Sequence, residues 1–376
     1  MSRNETRLRM TRRDLLRLGG GMLGAAAAAS GLSKILLPPT EIVRASSAPL
    51  RPARGGFPGD QPAPQQADRT YDKVLHFVGT DGWAYLPGTV EPYHPDEMAP
   101  DPFNVYMFGF ADVTDVENDP TLSPEQKVNT IRGHKMKCQT AAPLFWLKEG
   151  TDNLLKLTNL GLQIRPDLID SHTLHFHVFR NAIPIFDGEP HSSVGVPINR
   201  DLTYFYHPRD PGTYMYHCHF EETEHVHMGM TGPCFVTPLR NEGATRLGGN
   251  LDAEYMGYVY DDDSTAYHRE YIMLLTEVWT VSHWSDSHIQ LPEWSEYAPE
   301  FYLLNGRVWP DTILPNGAGH NPATHDLLPP NDPVTGAPID RLQFQPVSSL
   351  VQCNAGEKVL FRLINLGFEH QSMRLQ

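Results

Sequence analysis

Two short stretches gather residues whose types and spacing suit metal chemistry. "DSHTLHFHVF" (170–179) carries His172, His175 and His177; "HCHFEETEHVHMGM" (217–230) carries His217, Cys218, His219, His225, His227, Met228 and Met230. On an extended strand, side chains alternate between faces, so His175 and His177 are expected to project together. The same alternation across "TYMYHCHF" (213–220), entered through a turn at Pro211–Gly212, puts His217 and His219 on one face and Cys218 on the other. One strand would then serve two metal sites on opposite sides, joined covalently through Cys218. Copper suits the set better than zinc, because a blue-copper centre takes a thiolate, two imidazoles and a weak axial ligand, often methionine. Cys218 offers the thiolate and His172 one imidazole. The second imidazole is His225 or His227, and the axial ligand Met228 or Met230.

Elements that must hold these residues can be read from periodicity. "EGTDNLLKLTNLG" (149–161) and "AGEKVLFRLINLG" (355–367) match without a gap, Gly150 aligning with Gly356 and Asn159 with Asn365 at a constant offset of 206 residues. Period-two alternation makes each a half-buried strand preceded by a glycine turn. The domain-sized offset predicts two β domains of one type. Further strands are expected at "KVLHFVG", "NVYMFGFADV", "LTYFYH", "CFVTPL", "EYIMLLTEVW" and "EFYLLNG". With 33 Pro and 30 Gly separating short segments, the class expected is all-β, Greek-key sandwiches in tandem. A boundary is expected in the Gly- and Asp-rich region 241–268, and "DDDS" (261–264) reads as a solvated loop.

The first residues form a separate block. "TRRDLLRLGGGMLGAAAAASGLSKILL" resembles a twin-arginine export signal, with Arg12–Arg13 before a mild Ala/Gly/Leu stretch. A membrane span would need roughly 20 strongly apolar residues, and Ser30, Ser33 and Lys34 interrupt this one. Export to the periplasm or the extracellular space follows, with residues 49–70 as a Pro/Gly linker. Net charge is −15, which disfavours nucleic acid and anionic membranes as partners and permits cationic ones. Of the four cysteines, Cys218 reads as a ligand. An oxidising compartment would allow a Cys138–Cys234 bond, which spacing alone does not establish.

Taken together, the histidine stretches resemble those of the multicopper oxidases. "HTLHFH" looks like their H-x-x-H-x-H element and "HCHFEETEHVHMGM" like their H-C-H loop, nearest to the last copper domain of ceruloplasmin-type proteins. "FYLLNGRVWPDT" and "EKVLFRLINLG" look like the family's second domain, so the likeness covers most of residues 145–376. The resemblance implies tandem cupredoxin-like domains: 1–48 signal peptide, 49–70 linker, 71–245 copper domain, and 246–376 a second, incomplete domain without copper ligands. It implies type 1 copper on His172, Cys218, His225 and Met230, with His175 on type 2 copper and His177, His217 and His219 on the type 3 pair. His227 and Met228 become bystanders. The implied reaction is oxidation of a small reducing substrate, phenolic or a metal ion. Its electron would enter at an exposed edge of His225, cross Cys218 and serve to reduce dioxygen to water.

Departures from the family pattern matter. The loop between His219 and His225 is longer than usual and holds Glu221, Glu222 and Glu224, which would suit a cationic metal-ion substrate. Val178 replaces the glycine usual after H-x-H. The four cluster histidines are half of what a trinuclear centre requires, and Gln371, Arg374 and Gln376 stand where the second domain would repeat His172, His175 and His177. The remaining ligands are therefore expected from another domain or subunit; the oligomeric state is left open. Two other readings compete. An electron-transfer cupredoxin needs type 1 copper alone. A copper nitrite reductase has an acidic residue where His175 stands and no histidine directly after the cysteine, so His175 and His219 speak against it.

Overall fold

Strand β1 (Lys73–Tyr85) is buried on both faces along most of its length, as a central strand must be. It pairs antiparallel with β2 (Asn104–Asp112) and parallel with β4 (Asn153–Asn159), which pairs with β6 (Asp201–Tyr206) to complete a four-stranded sheet. Every second residue of β4 is buried, the expected alternation of a strand with one face on the core. A second four-stranded sheet has the order β3 (Phe145–Lys148), β8 (Thr231–Thr237), β7 (Gly212–His217) and β5 (His175–Phe176). Phe77, Phe108, Phe145, Leu155, Tyr204 and Tyr216 fill one core, and Cys218, Met228 and Met230 belong to that same cluster. This computed structural model describes residues 70–88, 96–180, 184–241 and 257–374, all within one compact unit, Arg69–Gln376.

Helices are few and short: α1 (Thr114–Asn118), α2 (Pro124–Arg132), α3 (Glu222–His227) and α4 (Thr280–Ser287). The start of α2 is set locally. Ser123 and Gln126 cap each other's backbone N–H groups reciprocally, and Pro124 takes the first helical position, where its missing N–H costs nothing.

The internal repeat is a repeat of topology. After the short hairpin of β9 (Gly257–Tyr258) and β10 (Ala266–Tyr267), strand β11 (Arg269–Val278) pairs antiparallel with β12 (Phe301–Leu304) and parallel with β13 (Val359–Asn365). Those are the relations of β1 to β2 and β4. Asn159 and Asn365 each accept a side-chain hydrogen bond from the N–H two residues on, at 2.8 and 3.0 Å. Gly150 and Gly356 both lie at positive φ before their strands, where a side chain would be strained. The fold is all-β, as the sequence predicts.

Three expectations need correction. The regular strand through 213–220 ends at His217: Cys218 N–H still donates in register to Met230 O at 3.0 Å, but Met230 N–H turns to His225 O at 2.9 Å, and the His219 N–H leaves for the Thr173 hydroxyl at 3.1 Å. The strand through 170–179 shrinks to His175–Phe176, because Val178 adopts φ +58° and His172 makes only an isolated bridge to Val196. Cys138 and Cys234 are free thiols, buried in separate apolar clusters. The export signal, nearly all of the linker, most of the interdomain stretch and Gln376 lie outside the described residues. Gln371 and Arg374 follow β13 on irregular chain, and Asp261, Asp262 and Asp263 are exposed.

Candidate metal centre

His172, Cys218 and His225 converge in the core of the first sandwich, all essentially inaccessible to water. Cys218 Sγ lies 3.3 Å from His225 Nδ1 and 3.9 Å from His172 Nδ1. Three distant segments meet here. His172 is carried by the bridge to Val196, with Gly79 on β1 leaving room for its ring. Cys218 follows directly on β7, and His225 sits on α3. That loop is folded back tightly: Met230 N–H donates to His225 O at 2.9 Å, and Phe108 N–H on β2 donates to Met228 O at 3.0 Å. Met230 is buried in the same cluster.

Burial drives the charge state of all three groups. It pushes the Cys218 thiol up to about 11 and His225 down to about 4. His172 is held well below its ordinary range by burial and then by His225. Neutral imidazoles with free lone pairs suit a metal, and a buried sulfur needs a cation beside it to remain a thiolate. The donor set of one sulfur and two imidazoles with a thioether nearby fits type 1 copper.

A second group lies on the other side of β7. His175 pairs with His217 across β5 and β7, and His175, His177 and His217 bring one nitrogen each within 4.8 Å of the others. His177 Nε2 and His217 Nε2 face each other at 2.9 Å. His175 Nδ1 lies 2.7 Å from the Asp187 carbonyl and His217 Nδ1 2.8 Å from the Cys218 carbonyl, which fixes the ring proton on Nδ1 and turns Nε2 inward. Burial lowers His217 to about 4 and also lowers His177. The His219 ring centroid is 4.8 Å from that of His175, and its buried Nδ1 has no hydrogen-bond partner. Such a concentration of lone pairs fits a bound cation. The opposition expected around Cys218 therefore holds although the regular strand stops one residue earlier.

His225 departs from expectation. It is 1% exposed, shielded by Phe108 edge-on at 5.8 Å, so it presents no open edge. Its Nε2 points towards Asp170 Oδ2, 4.0 Å away. His227 is also buried, accepting the Trp279 N–H at 3.2 Å and packing on His283 at 4.9 Å. Sequence reasoning missed Asp170, Thr173 and Asp187. Asp170 stands two residues before His172 in the quoted stretch, whereas Thr173 acts through its hydroxyl on the His219 N–H and Asp187 through its backbone carbonyl, contacts that residue spacing does not announce.

Residues 123–241 match the sequence model of the multicopper oxidases. The likeness to that family is carried by this segment, about a third of the chain. The match spans α2 to the end of β8 and includes every histidine of both groups. No curated protein matches the sequence. Among solved structures, the multicopper oxidase mgLAC is 17% identical with a TM-score of 0.39, covering 66% of this chain and 57% of its own. A blue copper oxidase from Nitrosomonas europaea is 20% identical with a TM-score of 0.39 and the same coverages. A copper nitrite reductase from Nitrosomonas europaea is 16% identical with a TM-score of 0.38, covering 78% and 67%. The chain thus spans less than two thirds of the length of the first two. No helix among the described residues is long and apolar enough to cross a membrane.

Proposed function

We propose that this chain carries the type 1 copper and half of the trinuclear-cluster ligands of a multicopper oxidase that oxidises a small reducing substrate and reduces dioxygen. His172, Cys218, His225 and Met230 would hold type 1 copper. His175 would hold type 2 copper, and His177, His217 and His219 the type 3 pair, the other ligands coming from another domain or subunit. The observation that carries this reading is the position of Cys218: its sulfur belongs to one donor group while the adjacent His217 belongs to the other. When bound, copper supplies one-electron redox chemistry at the first group and dioxygen reduction at the second.

The protein's own residues do the rest. The carbonyls of Asp187 and Cys218 orient two imidazoles, and Phe108 and the surrounding core exclude water from the sulfur. Keeping the two centres on opposite sides of one strand separates substrate oxidation from enclosed oxygen chemistry. Residues 71–245 would form the copper domain and 246–376 the second domain, after an exported leader (1–48) and linker (49–70), which places the protein in the periplasm or outside the cell.

Copper reconstitution with metal analysis and visible spectroscopy tests the proposal. The wild type should turn blue from thiolate-to-copper charge transfer. Cys218→Ser should be colourless and lose copper from that centre, while His177→Ala should lose copper yet stay blue. A wild type that binds copper without colour sinks the reading.

A further inference from the structure

Away from both histidine groups, Asp96, Glu97 and His288 each bring a donor atom within 4.8 Å of the other two. Asp96 and Glu97 lie between β1 and β2, and His288 caps the C-terminus of α4. We propose that these three side chains form a site for a divalent transition ion of borderline softness, with zinc as its representative.

The hydrogen-bond pattern carries the argument. His288 Nδ1 is 2.9 Å from the Trp284 carbonyl, which can only accept, so Nδ1 bears the ring proton. Nε2 then presents a lone pair to Glu97 Oε1 at 3.2 Å. Two acceptors at that separation require a cation beside them, either a second ring proton or a metal. The separation is close to the edge of about 3.3 Å between two ligands of a tetrahedral ion with bonds of about 2.0 Å. A ring N–H donated to a backbone carbonyl is also the usual way a metal-binding imidazole is oriented.

The third donor lies beside the protonated edge of the ring, Asp96 Oδ2 being 3.9 Å from His288 Nδ1, and would turn to join an ion at Nε2. Asp96 is 7% exposed; its Oδ1 accepts the Met98 N–H at 2.9 Å and its Oδ2 accepts the Ser287 hydroxyl. Trp284 stacks on the His288 ring with centroids 4.2 Å apart, fixing its plane. One imidazole, two carboxylates and an open position for water make a donor set that zinc accepts, and manganese or ferrous iron after it. Soft cuprous copper would find no sulfur here. An ion at this place would pin the segment at Asp96 to the end of α4.

The test uses the copper-loaded protein, so that the cysteine–histidine donor groups are filled, dialysed against zinc and measured for metal content. The wild type should take up one zinc per chain, and zinc should raise its Tm. Glu97→Gln and His288→Phe should lose both effects while keeping the copper colour, which reports that they fold. Glu97 is 75% exposed, so its substitution leaves packing alone. Zinc uptake equal in wild type and variants, or none in the wild type, overturns the proposal and leaves Glu97–His288 as an ordinary ion pair.

Discussion

Glu224 stands one residue before His225, and its charge reaches the Asp286 carboxyl on α4. Burial, then Glu224, push Asp286 up to about 8 against the pull of Arg165. Burial followed by Asp170 and Glu224 likewise raises Glu221. Acidic side chains from three segments therefore crowd together near the buried His225, and because Asp286 keeps its proton at pH 7 the negative charge rests on the acidic run and Asp170. Such a field draws cations to the protein and falls with salt. Neutralising Glu221, Glu222 and Glu224 together to Gln should raise KM for a metal-ion donor about tenfold or more, by that steering argument, and leave a phenolic donor unchanged. Steady-state oxygen uptake with both donors measures it, and equal loss on both rejects a cationic substrate. At this scale the side chains that converge were legible, because metal chemistry restricts candidate donors to a few types and their spacing survives in the chain. The burial of His225 was not: Phe108, which covers it, comes from β2, more than a hundred positions away.

Elements were legible where alternation is strict, as in β4 and its counterpart β13, and the shared Asn-Leu-Gly ending foretold a shared turn. Strand ends were not, since they depend on which partner takes each N–H. The ladder stops at Cys218 because Met230, opposite it, gives its N–H to His225 O instead of back across the pair, and Met230 is so placed because the loop turns at Gly229. That turn has φ +117°, and a Cβ on Gly229 would meet the Phe108 carbonyl oxygen at 2.8 Å and Met107 Cε at 2.9 Å. Both the conformation and the space demand glycine. Gly229→Ala should destabilise the fold by about 1–3 kcal/mol, the usual cost of a strained backbone position. It should also shift the visible spectrum of the copper-loaded protein, since Met230 moves with the loop. Urea unfolding and absorption spectra read the two effects; an unchanged pair would show that the loop does not set the position of Met230.

Across the whole unit, one buried arginine links the β12–β11–β13 sheet to β7, the strand that carries His217. Arg362 on β13 bonds Glu270 through Nε at 2.6 Å, donates through Nη1 to Thr213 on β7 at 3.1 Å, and lies over the Phe235 ring at 4.4 Å. Arg362 and Glu270 are both fully shielded, and burial pushes Glu270 up while Arg362 pulls it down. The tandem repeat predicted β13 but gave no hint of this link, because Arg362 aligns with Lys156, a part-exposed cation near Glu117 and Asp201 whose surroundings do not foretell a buried partner. Removing one member of a buried pair leaves the other uncompensated, which costs about 3–5 kcal/mol, whereas replacing both with apolar groups is often neutral. Arg362→Met should therefore lose about that much stability in urea at pH 7, and Arg362→Met with Glu270→Leu should recover most of it. The pH dependence has a definite sign. In the single variant Glu270 would protonate in the folded state well above its unfolded range, so the folded form binds the extra proton and gains stability as pH falls. The deficit against wild type should narrow between pH 7 and pH 5 and not in the double variant; a constant deficit would mean that packing on Phe235, rather than charge, is what Arg362 contributes.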